Sequence, residues 1–137
     1  MKRFRFSLDK VLKLRKYSED EAKIALGQAV GILAAIENDI KENSIRRHNA
    51  ALERFSDIGQ IAWWDNYISR LDQMADKLAE DAARAQLVAE EKRVLYLEAS
   101  RERKAIDKLK EKRQKEYRKE TLDSQMSEMD DLTASRK

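Results

Sequence analysis

The chain contains no cysteine and no proline, only three glycines and a single histidine, His48, in 137 residues. Without cysteine there is neither a disulfide framework nor a thiolate metal site, a composition that suits a reducing compartment. Without proline, and with glycine so rare, the chain lacks the punctuation that a fold of many short elements needs, so long uninterrupted helices are the expectation. Long apolar runs are missing too. The longest, residues 29–36, is interrupted by Gly31 and falls far short of the roughly 20 residues that span a bilayer. The opening MKRFRFSLDK is basic but has no apolar stretch behind it, so it does not read as a secretory signal, and a cytoplasmic protein without a transmembrane segment is expected.

What the chain has in abundance is charge: 40% of it is Asp, Glu, Lys or Arg. Such a composition belongs to a disordered chain or to a coiled coil, and periodicity decides between them. From Ile61 the apolar positions fall at Ile61, Trp64, Ile68, Leu71, Ala75, Leu78, Ala82, Ala85 and Ala89, an unbroken alternation of threes and fours that marks a left-handed coiled-coil seam. It continues more loosely through Tyr96, Ala99 and Ile106. Upstream, Ala22, Leu26, Ala29, Leu33, Ile36 and Ile40 keep the same spacing; after Ile40 the phase slips, and Leu52 and Phe55 resume it only approximately.

Two helices are therefore predicted in one coiled-coil domain, over residues 8–56 and 61–125, joined by a turn at 57–60 and followed by a frayed polar tail. Ser7 is the expected N-cap, with Phe6 packing on Val11 as a hydrophobic staple. Gly59, just past the first series and just before the second, is expected to end helix one in the left-handed conformation. The fold class is all-α, an antiparallel two-helix hairpin that buries each apolar stripe against the other and is monomeric in isolation. A parallel homodimer is the structural competitor.

Charge is unevenly distributed. Residues 1–17 hold seven basic and one acidic residue, 18–100 ten basic and sixteen acidic, and 101–120 ten basic and five acidic. Folded as a hairpin, the two basic blocks meet at the end that carries the termini. A charge run is more often a solvated face than a site, but two blocks that converge favour a binding surface.

No chemistry-bearing constellation accompanies these charges. Carboxylates such as Glu19, Asp20, Glu21, Glu90 and Glu91 have no histidine, cysteine or glycine-rich loop beside them, and a two-helix rod offers no pocket to shift their pKa values. No catalytic residue, cofactor or metal ligand is expected, and enzyme activity is rejected. His48 reads as an exposed or seam-edge residue. Gly27 and Gly31, with Ala34 and Ala35, either let a partner helix approach closely or occur together by chance. Trp63 and Trp64 cannot both enter one seam, because consecutive helical residues diverge by about 100°. Trp64 fits the series, which leaves Trp63 to cap the hairpin end or, with Tyr67, to anchor a partner. The block Arg101–Arg113 resembles a DNA-reading arm, but its Glu102, Asp107 and Glu111 would repel phosphates, so no nucleic acid is expected as partner.

Three stretches carry a family resemblance. Phe4-Arg5-Phe6-Ser7-Leu8, with Val11-Leu12 and Arg15, looks like the opening of the flagellar FliJ family, and Leu97–Arg113 followed by Tyr117 is similar to that family's E-A-x-x-E-R-K-x-x-E/D-K-L-x-E-K region. Trp64-Asp65-Asn66-Tyr67 resembles the aromatic-Asn-Tyr segment that opens the second helix in some members. The resemblance spans the whole length. It implies a stalk similar to that of rotary ATPases, which inserts into the hexameric ATPase of the flagellar type III export apparatus and contacts the cytoplasmic domain of the export gate and the export chaperones. Such a protein serves flagellar assembly and motility from the cytoplasmic face of the membrane at the flagellar base. Joined to the charge count, it points to the basic end as the ATPase-facing part: Arg3, Arg5, Lys10, Lys13 and Arg15 from the first block, and Arg103, Lys104, Lys108, Lys112 and Arg113 from the second. The alternatives are the equivalent stalk of a virulence-type secretion system and a nucleic-acid-binding coiled coil.

Overall fold

A computed structural model describes residues 3–135. Helix α1 covers Asp9–Ser56, a single 3-10 turn covers Ile58–Gln60, and helix α2 covers Ile61–Ser135; no strand occurs among the described residues. The two helices pack against each other as an all-α helical hairpin. The pairing is intramolecular and antiparallel, since Arg47 of α1 bonds Asp72 while Arg54, further along α1, bonds Asp65, earlier on α2. Two compact units divide the chain, Met1–Glu21 with Leu97–Lys137, and Ala22–Tyr96.

In the Ala22–Tyr96 unit the α1 stripe behaves differently from the expectation. The phase does not slip after Ile40. The alternation of threes and fours runs on through Asn43, Arg47, Ala50 and Arg54, with Asn43 5% and Ala50 2% exposed, while Leu52 and Phe55 stand 58% and 76% exposed. The seam is hidden from an apolar count because three of these four later positions, Asn43, Arg47 and Arg54, are polar. Asn43 supports its place by donating from Nδ2 to the backbone carbonyl of Leu71 at 3.0 Å, so the buried amide is satisfied across the two helices. Arg47 and Arg54 lean out of the seam to Asp72 and Asp65, at 2.8 and 2.6 Å. On α2, Ile61, Trp64, Ile68, Leu71, Leu78, Ala82, Ala85 and Ala89 are half-buried or buried. Ala75, expected among them, is exposed.

The reversal also departs from the sequence reading. Gly59 is not left-handed: no described residue, glycine or otherwise, has a positive φ. Instead Asp57 leaves the helical region at φ −121° and ψ 69°, after its N–H closes α1 on the Glu53 carbonyl at 2.9 Å. The Gln60 N–H then bonds the Asp57 carbonyl at 3.1 Å, and α2 begins at the next residue. A methyl group at Gly59 would meet nothing within 4 Å.

In the other unit, α1 starts at Asp9 rather than at a Ser7 cap. Ser7 and Leu8 form a turn in which the Asp9 N–H bonds the Phe6 carbonyl at 3.1 Å, and the Leu12 N–H bonds Leu8 at 2.8 Å. The helix opens on an aspartate instead, which its N-terminal dipole favours. Leu12, 2% exposed, and Ser100 are buried, and ahead of α1 the Phe4 ring lies 5.4 Å from that of Tyr117. At the far end of the chain α2 continues to Ser135, past residue 125, where its end was expected. Thr133 and Ser135 return their hydroxyls to the carbonyls of Met129 and Leu132, both at 2.9 Å. The final two residues of the expected frayed tail lie outside the described residues.

Two substitutions test this account by urea unfolding of the full chain. Gly59→Ala should raise stability by about 0.5 kcal/mol, since the turn accepts a side chain and the unfolded chain loses freedom. Asn43→Ala should lower it by about 1–2 kcal/mol, since the seam loses a buried hydrogen bond and a layer.

Candidate functional site

The described residues contain no group of three or more His, Cys, Asp or Glu side chains placed to hold a metal ion. His48 is exposed on α1. What the molecule offers are surfaces, one in each unit.

The first is cationic and lies in the unit formed by Met1–Glu21 and Leu97–Lys137. Its basic residues fall into two groups. Some are struts between the helices: Arg15 meets Glu102 at 2.6 Å, Lys110 meets Asp9 at 3.0 Å, and Arg103 divides its guanidinium between Asp107 at 2.7 Å and Glu19 at 3.1 Å. The hydrogen bonds that Arg103 donates to Asp107 and then to Glu19 hold its guanidinium above its usual range, and it stays charged. The Lys110 ammonium, by its hydrogen bond before its charge, holds the Asp9 carboxyl below the ordinary range. The second group forms no ion pair. Arg3, Arg5, Lys10, Lys13, Lys104, Lys108, Lys112 and Arg113 are exposed and absent from the ion pairs among the described residues, although the charge of Lys13 still helps hold the Asp9 carboxyl down.

Of the ten basic residues singled out from the sequence, Arg15 and Arg103 thus belong to the struts and the other eight remain available. Sequence reasoning missed that division, although antiparallel pairing of Glu19 and Glu102 with the basic blocks was a usable signal. Two grooves open beside the free cations. One, of about 660 Å³, is lined by Phe4, Arg5, Phe6, Lys10, Lys13 and Lys110 among others; the second, of about 410 Å³, by Arg3, Phe4, Arg113 and Tyr117 among others.

The second surface is aromatic and lies in the Ala22–Tyr96 unit. Trp64 is half-buried, and its indole Nε1 donates to Asp57 Oδ2 at 3.4 Å, tying α2 to the turn. Trp63 is 55% exposed, edge-on to Trp64 at 4.7 Å and stacked on Tyr67 at 5.6 Å with 16° between the rings. A notch of about 360 Å³, lined by Arg46, Asn49, Ala50, Glu53, Trp63, Trp64 and Tyr67, opens on these rings. Arg54 closes the turn from the side through Asp65, whose hydrogen bond raises the guanidinium above its usual range. Gly27 and Gly31 take no part in either surface: each is exposed with open space where a Cβ would stand, so the approach of α2 does not explain them.

The family model for the flagellar FliJ protein matches residues 4–136, nearly the whole chain. The chain belongs to the flagellar FliJ family. No curated protein and no solved structure matches it. FliJ proteins are non-enzymatic parts of flagellar protein export. No helix among the described residues is long and apolar enough to cross a membrane.

The struts make a testable pH dependence. Because the native Asp9 carboxyl binds its proton less tightly than in the unfolded chain, the unfolded state takes up more protons there, and stability rises with pH through that range. The stability lost in Lys110→Ala should be fully evident above about pH 4 and should fade as pH drops through the lowered native pKa, as urea unfolding at neutral and acidic pH will read.

Proposed function

We propose that this FliJ family member is the stalk of the flagellar type III export apparatus, inserting its basic end into the hexameric export ATPase and coupling the ATPase to the export gate and export chaperones. The observation that carries the reading is the family match over residues 4–136. The separation of struts from free cations supports it: Arg15, Arg103 and Lys110 keep the helices paired while Arg5, Lys10, Lys13, Lys108, Lys112 and Arg113 offer charge outward. Rigid presentation of unpaired cations steers encounter with an acidic protein surface and sets its orientation. The aromatic notch of Trp63 and Tyr67 is a second contact, suited to an apolar anchor from the gate's cytoplasmic domain or from a chaperone. The protein acts at the cytoplasmic face of the membrane at the flagellar base, as a peripheral component.

The test is hexamer formation and ATP hydrolysis by the cognate export ATPase with and without this protein. Charge reversal at Arg5, Lys108, Lys112 and Arg113 together should weaken the stimulation about tenfold or more, with the deficit largest at low salt. Exchanging Arg15 and Glu102 for one another should leave it nearly intact, because the exchange keeps the ion pair and the net charge. A competent ATPase that neither binds the protein nor responds to it overturns the reading. Trp63→Ala should spare the ATPase response while weakening capture of the gate domain or of an export chaperone.

A further inference from the structure

One outer line of α2 is exposed at every position from Lys108 to Met129 and repeats with the spacing of a coiled-coil seam, yet no part of the described chain covers it. Its first half is Lys108, Lys112, Lys115 and Lys119. Its second half is Leu122, Met126 and Met129, each more than half exposed. Carboxylates Asp123 and Asp130 follow Leu122 and Met129 directly in sequence and so flank the apolar half. None of these lysines and aspartates has an ion-pair partner among the described residues.

We infer that this line binds the same line of a second copy of the chain, antiparallel, about a two-fold axis between Glu120 and Thr121. The charge pattern selects that occupant. Turned end for end, the line matches itself: Lys119 lies over Leu122 of the second copy, Lys115 over Met126 and Lys112 over Met129. Each of these three lysines lays its methylene stem on an apolar side chain, and the ammonium groups of Lys119 and Lys112 reach Asp123 and Asp130. A parallel pairing in register stacks lysine on lysine and is excluded by repulsion. Glu116 approaches Asp123 of the second copy and limits the strength of the pair, so association is weak and depends on protein concentration. The surface is separate from the aromatic notch, and the inference does not rest on the stalk reading.

Sedimentation of the full chain tests it. At about 50 mM salt a shift from single hairpins to pairs is expected as concentration rises, and the apparent Kd should increase at least about tenfold at about 500 mM salt. Lys112→Glu should abolish pairing, and Lys112→Glu with Asp130→Lys should restore it, with far-UV circular dichroism confirming equal helix content. Because the chain has no native cysteine, register is read directly: an oxidised mixture of Lys112→Cys and Met129→Cys chains should yield a covalent mixed pair, whereas neither variant alone should cross-link. Single hairpins at every concentration in low salt, or Lys112→Cys linking to itself, overturn the inference. Either result leaves the ATPase measurement, made with single chains, as a separate question.

Discussion

Two helices must cover each other with no third layer. Every other property of this molecule follows from that constraint. An amphipathic helix alone leaves its stripe in water, and a pair closes each stripe from one side only, so among the described residues no side chain reaches complete burial. A seam this thin supplies little of the directional packing that fixes register in a thicker core. Polar contacts take over that task. Asn43 bonds a backbone carbonyl across the seam, and Arg47 and Arg54 reach particular aspartates on α2. A one-residue slide would strand the buried amide and part both ion pairs. Single exposed ion pairs contribute little to stability, typically below about 1 kcal/mol, so their role here lies in alignment more than in strength.

The same economy governs the cationic surface. A block of arginines and lysines on a helix could spend all its charge on neighbouring acids or none of it. Here Arg15, Arg103 and Lys110 are engaged across the helices by Glu102, Glu19 and Asp9, with Asp107 of the same helix also holding Arg103, while the other cations form no ion pair. The cross-helix pairs hold the two basic segments side by side, which is what makes the remaining cations a surface instead of two separate tails. Structure and presentation thus use one residue type in two positions, distinguished only by helical phase. The aromatic surface follows a similar division: Trp64 is held by the turn through Asp57, and this anchors the stacked pair of Trp63 and Tyr67 that solvent reaches.

Much of this was legible in order of residues alone. Two long helices, their reversal between Ser56 and Ile61, the split between Trp64 in the seam and Trp63 beside it, and the FliJ resemblance all came from spacing and motif. Spacing failed where apolar residues ceased to mark the seam. From Asn43 to Arg54 the phase is unbroken, but its polar members look like loss of pattern, and exposed Leu52 and Phe55 look like its return. Gly59 misled for a related reason: glycine after a helix commonly marks a left-handed residue, whereas here Asp57 absorbs the change of direction.

By itself the sequence determined the fold class and the family, because helical periodicity and scarce helix breakers are properties of neighbouring residues and need no partner to be read. It also determined where positive charge is concentrated. Only the tertiary structure decided which cations are struts and which are free, and that Asn43 belongs to the seam. Those facts depend on what stands opposite each residue on the other helix, at separations such as the 87 positions between Arg15 and Glu102. A local pattern carries no information about that distance; the antiparallel register supplies it.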